Sequence, residues 1–255
     1  DLGLRYGAGV DPLETGTLLA EAFRAGISGA SESDALDRLI LSQGLGWREV
    51  VVFRSYAKYM RQMGNTNSYG FIAGTLLGNP RVTGALGRMF RARFDPAVEE
   101  DKRAVEMEAA RTELDAGLEQ VPTLDADRVL RTFANLIEAT LRTNFYQVDA
   151  DGKAKSYFSF KLEPRAIPEM PRPTPLYEIF VYSPRVEGVH LRSGKVARGG
   201  LRWSDREEDY RTEVLGLVKA QQVKNAIIVP GGAKGGFVPR RLPTGGSRDE
   251  VLAEG

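Results

Sequence analysis

The sequence predicts a mixed α and β protein with a helical N-terminal half, a small antiparallel β section and the start of an α/β domain. Apolar residues recur at helical spacing through most of residues 1–142. Aromatic-rich segments that partly alternate follow in residues 143–194. In residues 195–255 a helical pattern leads into a short apolar segment and a glycine cluster. We therefore expect three regions with these boundaries.

The helical half is predicted from helix start signals and apolar stripes. Proline at a first helical turn and serine at a cap mark several of the starts. Residues 95–118 hold eight acidic and three basic residues, which predicts a solvated helix or a helical hairpin. The other predicted helices cover about 12–24, 34–43 with Ser33 as cap, 47–63, 79–94 and 124–141.

The β section is predicted from aromatic segments on either side of a turn. Residues 144–148 and 157–162 form a predicted hairpin around the turn at 149–152. Further strands are predicted at 176–182 and 189–192. The five prolines between 164 and 175 predict an extended connector before the third strand.

The last region carries the most informative pattern. Ser204 is a candidate N-cap, and the acidic residues after it favour the positive end of a helix dipole. This helix is expected to end near Lys224. A buried strand over 226–229 then leads into a glycine-rich loop at 230–236, which contains Lys234.

Composition excludes several classes of function. Among 255 residues, Lys plus Arg is 35 and Asp plus Glu is 34, so a net charge of +1 gives no support for nucleic-acid binding. The absence of cysteine excludes disulfides, thiolate catalysis and Cys-based zinc sites. With a single histidine, His190, we predict no metal site. No apolar stretch approaches the roughly 20 residues of a membrane span, so no membrane partner is expected.

Glycine pairs on both sides of Lys234 indicate that the backbone approaches something closely or takes positive φ. A phosphate-binding loop is excluded, because Gly235 stands where that motif needs a hydroxyl residue. Arg198, Lys224 and Lys234 instead offer cations that suit a small dianion such as a dicarboxylate, if they meet at the carboxyl ends of neighbouring strands. A buried lysine among such cations can act as a general base near neutral pH.

Each of these residues also has a purely structural interpretation. Lys224 would interact favourably with the dipole at the end of its helix. Gly231 and Gly232 could form a tight turn without touching a ligand. His190 is better explained as a strand residue than as a catalytic group.

The stretch from Arg198 to Phe237 resembles the substrate domain of glutamate dehydrogenases. It contains Gly-Gly-Leu-Arg-Trp, then Val-Lys-Asn, then Pro-Gly-Gly-Ala-Lys-Gly-Gly-Phe. The longer segment of residues 182–206 is similar in sequence to the very large-subunit, NAD-specific bacterial enzymes of this family. The resemblance implies that residues 195–255 begin an incomplete substrate-binding catalytic domain of α/β type.

The resemblance also assigns roles to individual residues. Lys234 matches the catalytic lysine thought to activate the water that adds to the iminium carbon, and Lys224 matches the lysine that holds the substrate α-carboxylate. Arg198 stands where smaller family members have a lysine on the side-chain carboxylate, and an arginine can grip a carboxylate with two hydrogen bonds. The glycines that match loop positions beside the substrate are Gly199, Gly200, Gly231 and Gly232.

The resemblance places the acid/base aspartate and the NAD-binding Rossmann domain downstream of this chain. The first residue is not Met, and the last ones begin a helical pattern, so we expect a fragment of a longer protein that is inactive alone. The implied parent is a cytoplasmic, homo-oligomeric enzyme that converts L-glutamate to 2-oxoglutarate and ammonia with NAD.

Two other functions remain open from the sequence. One is a non-catalytic module that binds an anionic metabolite or regulates a partner. The other is an oxidoreductase for an apolar amino acid such as leucine or phenylalanine. Arg198 argues against the latter, because its charge would be left unpaired beside an apolar side chain.

Overall fold

Helices fill the first half of the chain and a six-stranded sheet organises the second, so the predicted fold class is confirmed. The computed structural model describes residues 12–195, 199–224, 232–243, 245 and 247–254. The side chains of residues 12–14, 222–224, 248 and 254 are not described. The helices are α1 (Pro12–Ile27), α2 (Arg38–Gln43), α3 (Trp47–Gln62), α4 (Tyr69–Gly78), α5 (Pro80–Phe94), α6 (Glu100–Leu118), α7 (Leu124–Ala139), α8 (Tyr210–Lys224) and α9 (Arg248–Glu254).

The strands are β1 (Thr140–Thr143), β2 (Phe158–Leu162), β3 (Tyr177–Tyr182), β4 (Val186–Arg192), β5 (Leu201–Trp203) and β6 (Ala233–Pro239). Their order in the sheet is β1-β2-β3-β4-β6-β5. Neighbouring strands run antiparallel except β5 and β6, which are parallel. Among residues 12–195, 199–224 and 247–254, no helix combines the length and the apolar character that crossing a bilayer requires.

The chain divides into two compact units. The first comprises Asp1–Ala57 and Ser68–Leu130, and the second comprises Lys58–Asn67 and Arg131–Gly255. The end of α3 therefore belongs to the same unit as the sheet.

The first unit consists of helices packed around a buried apolar core. Its core includes Leu39, Tyr56 and Leu86, each at most 1% exposed. The guanidinium of Arg54 is buried here and donates to the carboxylates of Asp34 and Asp37. This ion-pair cluster fixes the short 3-10 turn (Ala35–Asp37) that leads into α2.

Three helix predictions need correction. The capping side chain is Asp34 and not Ser33: the Asp34 carboxylate accepts from the Leu36 N–H at the start of the 3-10 turn that precedes α2. α4 was not predicted, because its sequence is apolar around its whole circumference and shows no period. The acidic stretch forms one helix, α6, whose charged residues mostly face solvent, so the helical hairpin is wrong.

Most of the predicted strands exist, but several lie at other positions than predicted. The hairpin exists, but its first strand is β1, which directly follows α7, and 144–157 form the connection. β4 begins earlier than predicted, and β5 was not predicted. Ser204 does not cap α8, which begins six residues later at Tyr210. The strand expected at 226–229 lies outside the described residues.

The sheet of the second unit has one covered face. Alternate residues of β2 and β3 are buried, among them Phe160 and Phe180. The ring of Tyr59, near the end of α3, meets both of these rings edge-on, with centroids 5.6 and 5.3 Å away. Val214 of α8 is fully buried and lies against Gly236 of β6. Helices thus cover this face, and the residues between the buried ones point to the other side.

Candidate functional site

The predicted site residues that are described gather at one end of the sheet. Gly199 and Gly200 directly precede β5, Gly232 directly precedes β6, and Lys234 lies in β6. β4 ends beside them, because Arg192 pairs with Ala233. The prediction of a site at the carboxyl ends of strands depended on the strand at 226–229, which lies outside the described residues. Of the strands that meet at this edge, β4 ends here, whereas β5 and β6 begin here. These two strands run antiparallel to β4, so they present their amino ends at this edge.

Three of the predicted residues are not available for comparison. Arg198 and Gly231 lie outside the described residues. The backbone of Lys224 ends α8, as predicted, but its side chain is not described.

Gly199 and Gly200 allow the chain to approach β6 closely. A Cβ at Gly199 would overlap the carbonyl oxygen of Ala233, whereas a Cβ at Gly200 would meet nothing within 4 Å. The N–H of Gly235 donates to the carbonyl of Gly200 at 3.0 Å. Neither glycine has positive φ. Of the two explanations that the glycine clusters suggested, close approach of the backbone is therefore the one that holds here.

Gly232 is held by Ser193, which the sequence analysis did not single out. The Ser193 hydroxyl accepts from the Gly232 N–H and donates to the Gly232 carbonyl, both at 2.7 Å. The Ser193 N–H donates to the same carbonyl at 3.0 Å. A serine that follows a strand carries no distinctive signal, so only the fold reveals that it fixes the entry into β6.

Lys234 lies in a strand and not in the predicted loop. It pairs with Leu191 of β4 and is half-buried. Its side chain is on the same face as Gly236, where a Cβ would lie 2.5 Å from the Val214 side chain of α8. The glycines thus allow α8 to pack tightly against β6, and they place Lys234 on the face that α8 covers.

A pocket of about 330 Å³ opens at this end, on the side of the sheet opposite to Lys234. Its lining is formed by His190, Arg192, Gly199, Gly200, Leu201 and Ala233. Arg192 donates from Nε to the Gly194 carbonyl at 2.8 Å and from Nη2 to the Lys195 carbonyl. Burial, and then the charge of Arg192, lower the pKa of His190, so its imidazole is neutral at pH 7.

Buried polar contacts anchor α8 beneath the site. Arg211 forms a two-pronged ion pair with Glu178 of β3, with N–O distances of 2.7 and 2.8 Å. The side chains are 1% and 0% exposed. Farther along α8, Glu213 accepts from Arg202 at 2.8 Å and from the Ser204 hydroxyl at 2.6 Å. Sequence reasoning missed these contacts, since single charges within helices and strands usually face solvent.

The connection from β5 to α8 does not have the form of a nucleotide-binding turn. A dinucleotide-binding turn joins a strand to a helix through closely spaced glycines. Here β5 leads to α8 through residues 204–209, which contain no glycine. Among the described residues, no group of three or more acidic or histidine side chains is placed to hold a metal ion.

Two known protein families match parts of this chain. The family described as "Bacterial NAD-glutamate dehydrogenase, catalytic domain" matches residues 113–255. The family described as "Glutamate dehydrogenase, helical motif 3" matches residues 31–96. The first match includes the whole sheet and every predicted site residue.

Curated proteins agree with the family match. An NAD-specific glutamate dehydrogenase of Pseudomonas aeruginosa is 56% identical over 100% of this chain, which covers 16% of that protein. Proteins of the same name from Halomonas elongata and Mycobacterium tuberculosis are 53% and 49% identical over 92% of the chain, covering 14% and 15% of those proteins. The chain thus spans about a sixth of the length of these relatives. The resemblance noted for residues 182–237 is confirmed, and the chain belongs to the bacterial NAD-glutamate dehydrogenase family.

Proposed function

We propose that this chain is part of an NAD-dependent glutamate dehydrogenase that oxidatively deaminates L-glutamate to 2-oxoglutarate and ammonia. The family match and the shared name of the relatives support this proposal. They favour it over a non-catalytic module for an anionic metabolite and over a dehydrogenase for an apolar amino acid.

In this proposal Lys234 is the catalytic residue. As a base it takes a proton from the water that adds to the iminium carbon, and the C–N bond then breaks to release ammonia. Its position in β6 supports the role, because strand pairing with Leu191 holds its backbone and leaves only the side chain to move. A lysine held in this way can reach one reacting atom repeatedly in the same geometry.

The substrate carboxylates are assigned to the other cations. Lys224 would hold the α-carboxylate, and the end of α8 brings its backbone to the edge of the sheet on the face of Lys234. Arg198 would hold the side-chain carboxylate through paired N–H groups. Gly199, Gly200, Gly231 and Gly232 would line the substrate where the chain enters β5 and β6.

The remaining parts of the proposal concern the whole protein. NAD would be bound by a downstream domain, as the family resemblance implies. When bound, NAD would accept hydride from the substrate. Residues 1–255 alone would therefore be inactive, and purified chain that reduces NAD with glutamate would refute this. We further propose that the full-length protein is a cytoplasmic homo-oligomer.

The observation that carries the proposal is Lys234 in a glycine-rich strand, at the sheet end where Gly199, Gly200 and Gly232 also lie. Its test is Lys234→Met in the full-length protein, since methionine keeps the length of the side chain and removes the amine. We expect kcat to fall by about 10²–10⁴-fold, with little change in KM for glutamate.

The matched control is Lys219→Met, because Lys219 lies on the exposed side of α8. It should leave kcat and KM unchanged. An unchanged kcat in the Lys234 variant would remove this residue from the chemistry.

A further inference from the structure

On the sheet face opposite to the helices, several polar side chains lie in one row. Antiparallel partners that lie directly opposite each other project to the same side. The pairs Arg142 with Lys161, Ile179 with His190, and Tyr177 with Arg192 therefore share this face. Lys161 also pairs with Ile179, so one row runs from β1 to β4. These residues are half-buried or exposed, in contrast to their buried neighbours along each strand.

The charges on this face have one sign. Its basic side chains are Arg142, Lys161 and Arg192, and His190 lies among them. The nearest strand carboxylates, Glu178 and Glu187, belong to the opposite face, where both are buried. Among the described strand residues of the open face there is no acidic side chain.

The cations lie within reach of one ligand. The Nζ of Lys161 stands 3.8 Å from the ring centroid of Tyr177, and Tyr177 is the strand partner of Arg192. Neighbouring strands are about 4.8 Å apart, so β2 and β4 are separated by about 10 Å, which two long side chains can bridge. Arg142 stands on the other side of Lys161, one strand away.

The electrostatics agree with this geometry. Burial, followed by the charges of Arg142 and Arg192, lowers the pKa of Lys161. No carboxylate contributes to this shift, so the positive charges repel each other without compensation among the described residues. A bound anion would relieve this repulsion.

Arg192 connects the cation row to a concave surface. It lines the pocket of about 330 Å³, and two loop carbonyls already fix the Nε and Nη2 sides of its guanidinium. Its Nη1 has no hydrogen bond among the described residues. A fixed guanidinium with a donor left over needs little ordering when it binds an anion.

We infer that the open face of the sheet carries a binding site for a small polyanion, in which Arg142, Lys161 and Arg192 hold phosphate or carboxylate groups beside the ring of Tyr177. The site takes a ligand with at least two negative charges, because its cations come from three different strands. It lies on the side of the sheet opposite to Lys234 and is independent of the proposed catalytic role of that residue.

The first test is lysine footprinting of the full-length protein. Acetic anhydride at pH 8 should acetylate Lys161 faster than the exposed Lys153, because a lowered pKa leaves more free amine. Pyrophosphate or malonate should protect Lys161 at least fivefold and leave Lys153 unaffected, with sodium chloride of equal ionic strength as the blank. A Lys161 that does not react, or that neither anion protects, would overturn the inference.

Calorimetric titration then tests the residues. Lys161→Gln and Arg142→Gln should each weaken binding of the preferred anion at least tenfold. Arg165→Gln, which removes an exposed cation of the same unit, should change it less than twofold. Equal weakening in all three variants would mean general screening and would refute the site.

Two comparisons separate the outcomes further. Stronger binding of pyrophosphate than of malonate would identify a phosphate ligand, and the reverse a carboxylate ligand. Lys234→Met should bind the anion as the wild type does, so failure of the proposed catalytic role would leave this inference standing.

Discussion

Removing Arg211 should loosen α8 far more than removing any exposed charge on it. The guanidinium and the Glu178 carboxylate are almost completely buried and share two hydrogen bonds. Arg211→Met leaves the carboxylate buried without its partner. Breaking a buried pair in this way costs about 3–5 kcal/mol. Arg206 and Asp209 form an exposed pair in the segment before α8, and such a pair contributes far less.

Hydrogen exchange of the full-length protein, read by mass spectrometry over residues 210–224, measures this effect locally. At about 1.4 kcal/mol per tenfold change, a loss of 3 kcal/mol makes the amides of α8 exchange roughly a hundredfold faster. Arg206→Gln is the control and should change exchange less than about fivefold.

The double variant Arg211→Met with Glu178→Leu gives the sharpest result. It removes both charges and should recover much of the protection, since apolar replacements of buried pairs are often tolerated. If Arg211→Met alone left exchange in α8 unchanged, the buried pair would not be what anchors this helix. If the double variant exchanged faster than the single one, lost packing would outweigh the charge effect.

Two further predictions concern other parts of the fold. Gly236→Ala in β6 puts a Cβ 2.5 Å from the Val214 side chain and should destabilise the packing of α8 by about 1–3 kcal/mol. Gly216→Ala, on the open side of α8, should stabilise this helix by about 0.5–1 kcal/mol. Hydrogen exchange over α8 distinguishes the two variants. Burial would raise the pKa of Asp34, but the hydrogen bond and the charge of Arg54 lower it overall. The ionised carboxylate therefore stabilises the fold fully above about pH 4, and this stabilisation is lost as the pH falls through the lowered pKa of the folded state. The Tm of Asp34→Asn should therefore lie below that of the wild type at pH 7, and the difference should shrink as the pH falls below about 4. A difference that does not change with pH would contradict this assignment.

The sequence predicted those elements whose side chains repeat with a clear period. α3, α5 and α7 carry apolar stripes, and β3 alternates, so each was located to within a few residues. α4 is apolar on all sides, and its burial comes from the surrounding helices, which no local pattern reports. β6 was taken for a loop because its glycines have low strand propensity. Strand pairing with β4 and β5 on its two sides determines its conformation.

The sequence predicted which residues belong to the candidate site, but it did not predict how they contact one another. The glycine clusters correctly indicated close approach of the backbone, but the partners in that approach are Ala233, Leu201 and Val214 of the same chain. Ser193 acts through hydrogen bonds to Gly232, which is 39 residues away along the chain, and Arg192 lies opposite Ala233 in the pairing of β4 with β6. Such residues become visible only when the register of β4 against β6 is known.

The second unit is discontinuous along the chain, and this affects how it can be synthesised. Lys58 pairs with Glu187 at 2.8 Å, and the amide of Gln62 donates to the Glu207 carbonyl at 2.9 Å, across separations of 129 and 145 residues. The end of α3 therefore leaves the ribosome long before its partners exist. At about 5–20 residues per second, its apolar side waits roughly 6–30 seconds for β4 and the segment before α8. Pausing of translation between residues 62 and 187 would lengthen this exposure of apolar side chains.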